Sequence, residues 1–239
     1  MTSIREAYDN TIQESFTGMK LLLWAVPLFW CREMYLDNNI VGLSLFGSLF
    51  GILLIGFITE SANNAIVKNP EIVPGMDFLL MAFNGIKTVI AMGVPLVVAY
   101  FLGNFILKFI PATTPTIKMT IEIFLWLFFA TLPVCSYISY MRKLNILDAF
   151  NLKNISYAYG DTFIAFSYIL IKLGLVGLIV VGFITYLFWL FIGLNNWIIN
   201  FIWSITTMYG LVIFANCLAQ LSDEIFTFRD KKEGRTSDN

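Results

Sequence analysis

A carboxylate inside a long apolar segment is the first feature of this chain that could carry chemistry. Glu122 lies five residues into such a segment, and ionisable groups inside a bilayer are costly and usually functional. Glu122 can lie shallowly, one helical turn below the headgroups, and pair with Lys118 four residues earlier. Alternatively, it can bind a substrate or an ion. The apolar segments contain no second deep acid for a proton relay, which argues against a pump or an antiporter.

The last apolar segment carries a stripe of polar side chains. Asn200, Ser204 and Thr207 follow each other at spacings of four and three residues, so they share one helix face. Such a face can line a path for a polar solute. It can equally form hydrogen bonds to a neighbouring helix, which explains most polar residues in membrane helices. Both interpretations remain open from the sequence.

Three lysines each follow an aromatic residue by four positions. The pairs are Phe16 with Lys20, Phe83 with Lys87, and Tyr168 with Lys172. A lysine at the membrane boundary buries its methylene groups beside lipid and raises its ammonium group to the headgroups. The aromatic ring lies on the same helix face and prefers the same interface. We therefore expect these six residues to be interface anchors, and the lysines to contact anionic lipid phosphates.

The first two pairs belong to a repeated phrase. "FTGMKLLLWAVP" at residues 16–27 returns as "FNGIKTVIAMGVP" at residues 83–95, and a third copy around Lys172 lacks the Gly and the Pro. The repetition predicts three tandem units, each a surface helix followed by two membrane crossings. Coincidence is the alternative, because Gly, Lys and Phe are common at membrane interfaces. The predicted units are residues 3–59, 72–140 and 146–221.

Residue types exclude several classes of function. The chain has no histidine, which excludes HExxH metalloproteases, Ser-His proteases, His-ligated haem and His proton relays. It contains no P-loop, no GxSxG and no paired-aspartate signature of head-group transferases. Its three cysteines form no ligand cluster, and a net charge of -1 does not indicate a nucleic-acid partner. We predict no catalytic residue, no metal and no cofactor, and therefore not an enzyme.

The elements that position these residues are apolar segments of membrane-spanning length. The chain is 58% hydrophobic and 13% charged, whereas soluble domains carry about 25% charged residues. We predict an all-α polytopic transmembrane bundle in one domain, residues 1–221, with a polar cytoplasmic tail at 222–239. An amphipathic surface helix over residues 3–19 precedes the spans. The six predicted spans are residues 18–36, 40–59, 85–107, 117–140, 173–194 and 197–221.

The first span is the least regular, because Arg32 and Glu33 interrupt it. A re-entrant or interfacial segment is the alternative there. With six crossings and a cytoplasmic N-terminus, twelve of the 15 Lys and Arg residues lie inside and three outside. Without the first crossing, the count becomes ten against five, so the positive-inside rule favours six. We expect an inner-membrane protein with both termini cytoplasmic and no cleavable signal peptide.

The middle of the chain resembles a known family. In residues 56–100, Gly56-Phe57 ends a span, Val73-Pro74 and Asp77-Phe78 follow, and Gly85-Ile86-Lys87 enters the next span. This arrangement is similar to uncharacterised bacterial and archaeal integral membrane proteins that share a domain of unknown function. The likeness extends loosely over about 170 residues, including "LDAFNLKNISYAYGDTFIAFSYIL". The resemblance implies six helices and carries no catalytic residues.

These observations favour a non-enzymatic multi-pass membrane protein that acts as a scaffold, an accessory subunit or a lipid-interacting factor. Its expected partners are membrane lipids, with other membrane subunits or a second copy as further options. The alternative is a small transporter or channel whose path is lined by the fourth and sixth spans. The sequence names neither a substrate nor a biological process.

Overall fold

The computed structural model describes residues 3–12, 17–69, 71–109, 114–193 and 197–232. The described residues form helices connected by short turns. The helices are α1 (Ile4–Ile12), α2 (Thr17–Leu36), α3 (Ile40–Ile66), α4 (Phe78–Leu107), α5 (Pro115–Met141), α6 (Ile146–Ala149), α7 (Leu152–Ile192) and α8 (Trp197–Lys232). The prediction of an all-α protein is confirmed.

Five of these helices are long and apolar enough to cross a membrane: α3, α4, α5, α7 and α8. A span needs about 20 predominantly apolar residues. The 20-residue α2 has the length, but every 18-residue stretch of it contains Lys20, Arg32 and Glu33, whereas each of the other five has such a stretch with at most two charged residues. The prediction of a helical membrane protein is therefore confirmed at the level of five such helices.

Polar side chains cap the starts of several helices. The side chain of Asn39 accepts a hydrogen bond from the Gly42 amide, 3.0 Å away, at the start of α3. Asp77 accepts from the Leu80 amide at 3.1 Å and starts α4. Asn151 accepts from two amides at the start of α7. Each cap satisfies an amide that has no partner inside the helix, which fixes where these helices begin.

The long helix α8 lies at the centre of the packing. It contacts α1, α2, α3, α5 and α7. Helices α7 and α8 are antiparallel, since Arg229 reaches Asn154 at one end and Trp203 reaches Thr185 at the other. The main core cluster is built around Tyr140, Met141, Ile169 and Phe226, all essentially inaccessible to solvent.

Helices α3 and α4 approach each other most closely at two glycines. A Cβ atom at Gly56 would overlap the Met81 carbonyl group, and one at Gly85 would overlap the Ile52 carbonyl group. Small residues allow helix backbones to approach in this way, and such close contacts are typical of membrane helix pairs. The two glycines therefore determine the spacing of α3 and α4.

Three segments differ from the sequence predictions. Residues 148–166 do not form a separate surface segment, because all but the first few belong to the continuous helix α7. Residues 71–77, at the start of the second predicted unit, are not helical. The predicted polar tail is helical as far as Lys232 and packs Ser222 and Phe226 into the core. Burial of these side chains explains why the helix continues past the apolar segment.

Candidate functional site

The structure places two of the three predicted lysines over their aromatic partners. The Lys87 ammonium lies 4.1 Å from the centroid of the Phe83 ring. The Lys172 ammonium lies 4.3 Å from the centroid of the Tyr168 ring. Both rings are exposed, at 58% and 47%, so each pair presents a cation and an aromatic surface outward. Phe16, the partner predicted for Lys20, lies outside the described residues.

Each of these two lysines stands before an uncharged stretch that ends its helix. Residues 88–107 of α4 and residues 173–192 of α7 are each 20 residues long and contain no charge. At 1.5 Å per residue, each stretch is about 30 Å long, which matches the hydrocarbon core of a bilayer. The whole of α7, with 41 residues, is about 60 Å long and exceeds that thickness twofold. Lys172 therefore lies where α7 changes from a polar to an apolar helix.

A matching boundary is present on α3. Its residues 40–59 are also uncharged, and Glu60 follows. The Thr59 hydroxyl oxygen lies 3.0 Å from that of Thr88, the residue after Lys87. The charge boundaries of α3 and α4 thus lie side by side, as expected if both helices meet the same headgroup layer.

Lys20 has a different environment. Its ammonium donates to the Val73 carbonyl oxygen at 2.6 Å and lies 3.7 Å from a Glu71 carboxylate oxygen. Its side chain is only 20% exposed. Lys20 therefore ties the start of α2 to the segment that connects α3 and α4. Its structural role differs from the outward-facing Lys87 and Lys172.

Glu122 pairs with Lys118, as one of the two predictions for it requires. The Lys118 nitrogen lies 3.8 Å from a Glu122 carboxylate oxygen one turn along α5, and the Glu122 side chain is 38% exposed. An exposed pair at this spacing stabilises a helix only slightly. This geometry supports the shallow position over a buried ion site.

One residue of the polar stripe on α8, Asn200, bonds to another helix. Asn200 donates to a Glu33 carboxylate oxygen at 2.8 Å and so joins α8 to α2. The Ser204 hydroxyl donates to the Asn200 carbonyl oxygen, and the Thr207 hydroxyl donates to the Trp203 carbonyl oxygen. The Asn200 contact supports the packing interpretation for that residue, whereas the Ser204 and Thr207 bonds lie within α8 and favour neither interpretation.

Sequence reasoning missed a buried polar cluster between α3, α4 and α5. Beside the Thr59–Thr88 contact, the hydroxyl groups of Tyr137 and Tyr140 are buried and make no hydrogen bond within the described residues. The Asn84 amide nitrogen is in the same condition, with its residue 3% exposed. None of these side chains is a carboxylate, a lysine or an arginine, and their contacts position the three helices.

It also missed a basic cavity at the end of the bundle where α5, α6, α7 and α8 meet. The cavity has a volume of about 320 Å³. It is lined by Ser139, Arg142, Lys143, Asp148, Asn151, Lys153, Asn154, Phe226 and Arg229. The sequence contained a signal, since Arg142, Lys143 and Lys153 are close in the chain, but Arg229 is distant.

The fold and these sites define a helical membrane protein with polar and basic groups concentrated at one end. Among the described residues, no group of three or more His, Cys, Asp or Glu side chains is arranged to hold a metal ion. Comparisons with protein-family models, curated proteins and solved structures found no match to this chain. The resemblance of residues 56–100 to a six-helix family therefore stays a prediction.

Proposed function

We propose that this chain is a non-enzymatic multi-pass membrane protein that binds anionic lipid and serves as a scaffold or accessory subunit. The observation that carries the proposal is the pair of outward-facing lysine–aromatic contacts, Lys87 with Phe83 and Lys172 with Tyr168. Each contact lies directly before an uncharged helical stretch of bilayer thickness. A cation and an aromatic ring at that position suit the phosphate and glycerol layers of a bilayer.

The topology we propose has six crossings, with α2 as the first and both termini in the cytoplasm of a cell with an inner membrane. The contact between Glu33 and Asn200 supports a membrane position for α2, because it packs the charged end of α2 against α8. In this arrangement the Lys87–Phe83 pair faces the cytoplasmic leaflet, where anionic lipids attract basic groups. The Lys172–Tyr168 pair lies towards the other end of α5, because Phe163 of α7 packs against Phe124 and Phe128.

Of the three predicted tandem units, our proposal keeps only the lysine–aromatic pair at the membrane boundary. The lysine–aromatic pair recurs in α4 and α7 with the same geometry, 4.1 Å and 4.3 Å from nitrogen to ring centroid. The first unit begins with the nine-residue helix α1. The third begins with the four-residue α6 alone, since residues 152–166 extend α7 itself. What repeats in our proposal is thus the boundary motif, not a complete three-part unit.

The test compares two double variants in nanodiscs that contain phosphatidylglycerol and phosphatidylcholine. Lys87→Gln with Lys172→Gln removes both proposed lipid contacts, whereas Lys108→Gln with Lys118→Gln removes two charges at the opposite ends of α4 and α5. Each contact near an anionic surface contributes about 1 kcal/mol, so bound phosphatidylglycerol should fall roughly fivefold per lysine. Native mass spectrometry counts the retained lipids.

The proposal requires the loss in the first variant to exceed that in the second. An unchanged phosphatidylglycerol count in the Lys87 and Lys172 variant would remove the lipid-binding function. A path for solutes would instead be shown by solute uptake into proteoliposomes that depends on Asn200 or Glu122.

A further inference from the structure

The basic cavity combines a high density of positive charge with a polar lining. Four cationic side chains line it, Arg142, Lys143, Lys153 and Arg229, together with the acid Asp148. A second acid, Asp230, lies 3.5 Å from both arginines. The cavity volume of about 320 Å³ lies at the lower end of the range of about 300–1,000 Å³ for ligand pockets.

The two arginines share one counter-charge. Arg142 and Arg229 each lie 3.5 Å from a different oxygen of the Asp230 carboxylate. One carboxylate cannot neutralise two guanidinium groups, and their side chains are only 24% and 12% exposed. An uncompensated, partly buried positive charge is costly unless an anion pairs with it. The arrangement is therefore incomplete without a further negative group.

The arginines are also held in place by neighbouring side chains. The Phe226 ring lies between them, with guanidinium carbons 5.1 Å and 5.2 Å from its centroid. Arg229 donates to the Asn154 amide oxygen, and the Asn154 amide nitrogen donates to the Ser139 hydroxyl at 3.1 Å. The Arg229 Nε atom is buried and has no hydrogen-bond partner within the described residues. A preorganised donor without a partner is the feature that a bound anion would use.

The surroundings of the cavity indicate where it lies relative to a membrane. Two large apolar side chains beside it, Leu147 and Leu152, are 74% and 79% exposed. Exposed leucines next to a basic cavity are expected where a protein meets the boundary between lipid chains and headgroups. The exposed Lys143 and Lys153 then lie at the level of the phosphates.

We infer that the basic cavity is a binding site for a phosphate ester. Guanidinium groups present parallel N–H donors that match phosphate oxygens, and lysines at the rim add charge without fixed geometry. The ester can belong to a lipid headgroup or to a soluble metabolite, and both present the same phosphate oxygens. The cavity does not include Lys87 or Lys172, so this inference can be tested independently of the proposed function.

The experiment measures phosphate-ester binding in two arms. The first titrates glycerol 3-phosphate into the purified full chain in a zwitterionic detergent, by isothermal titration calorimetry. The second counts phosphatidylglycerol retained in nanodiscs, by native mass spectrometry. The variant is Lys143→Gln with Lys153→Gln, and its matched control is Lys231→Gln with Lys232→Gln, which removes two exposed charges outside the cavity lining.

The rim variant should bind roughly tenfold more weakly or worse, because it removes two charged donors to the phosphate. Arg142→Gln should weaken binding at least as much. Arg142→Lys should be intermediate, because it keeps the charge and loses the paired donors. The control variant should retain the affinity of the unchanged chain, and circular dichroism verifies that each variant is folded.

Binding in the nanodisc arm alone identifies a lipid source, and binding in the titration identifies a soluble phosphate as a ligand. Either result supports the inference if the cavity variants weaken it and the control does not. Absence of binding in both arms overturns the inference. Equal binding by the rim variant, the Arg142 variants and the control overturns it as well.

Discussion

The close contact of α3 and α4 leads to a quantitative prediction for one glycine. A Cβ atom at Gly85 would overlap the backbone carbonyl group of Ile52, and one at Gly56 would overlap that of Met81. A backbone atom cannot rotate aside as a side chain can, so Gly85→Ala has to push the helices apart. Overpacking of a close-packed contact costs about 1–3 kcal/mol, and the backbone overlap places this site near 3.

Exchanging Gly85 for Ala also stabilises the helix itself, but by less than the overlap destabilises it. Gly93, in the same helix, provides a matched control for this gain. Exchange of a helical Gly for Ala gains up to about 1 kcal/mol. We therefore expect Gly85→Ala to lose about 2 kcal/mol of folding free energy, using 3 for the overlap and 1 for the gain. Gly93 has no heavy atom within 4 Å of its Cβ position, so Gly93→Ala should be neutral or slightly stabilising. Gly51→Ala is the corresponding control for Gly56→Ala on α3.

Thermal unfolding in detergent, followed by circular dichroism, measures the difference. For a chain of this size, 1 kcal/mol shifts Tm by about 2–4 °C. A difference of about 3 kcal/mol between Gly85→Ala and Gly93→Ala thus corresponds to about 6–12 °C. Equal melting temperatures for the two variants would show that α3 and α4 do not meet at Gly85, and the packing described here would be wrong.

Two further predictions concern polar contacts. Asn200→Ala should destabilise the chain by about 1.5–3 kcal/mol because it leaves the Glu33 carboxylate without its amide donor. The effect should largely disappear in a Glu33→Ala background, which removes the acceptor, and additive losses in this double-mutant cycle would contradict the contact. Glu122→Gln should change stability by less than about 0.5 kcal/mol because its pair with Lys118 is exposed, and a large loss in chemical unfolding would indicate a buried role.

The helices that could be located from sequence were those with sharp charge boundaries. The predicted span at residues 40–59 lies within α3, and the charged Glu60 directly follows that span inside the helix. The predicted span at 85–107 ends where α4 ends, at Leu107. An uncharged run of about 20 residues leaves few alternatives to a helix of bilayer length, so composition alone located these elements.

Composition did not reveal the helices that continue into polar sequence. Residues 152–166 contain Asp161 among other polar groups, so their composition indicates a surface segment. Ala158 and Phe166 nevertheless lie at helical spacing and pack into the core. Phe226 does the same beyond the end of the last predicted span. Isolated apolar residues among charges form a core only when a distant helix covers them, and that partner is not visible locally.

One of the candidate sites could likewise be predicted from the sequence, and the other could not. The lysine–aromatic pairs follow from an i, i+4 spacing, so their geometry was predictable from α-helix periodicity. The basic cavity depends on Arg142 meeting Arg229, 87 positions later in the chain. The charged residues are visible in the sequence, but their contact with the single Asp230 carboxylate depends on the fold.

The central claim is the topology, that is, the side of the membrane on which each helix end lies. Site-directed cysteine labelling tests it most directly. In a chain with Cys31, Cys135 and Cys217 replaced, single cysteines at Asn38 and Thr114 should react with a membrane-impermeant maleimide in intact cells. A single cysteine at Lys232 should react only after permeabilisation. Labelling of the cysteine that replaces Lys232 in intact cells would contradict the six-crossing topology and with it the cytoplasmic lipid-binding face. Protection of the cysteines that replace Asn38 and Thr114 would contradict it as well.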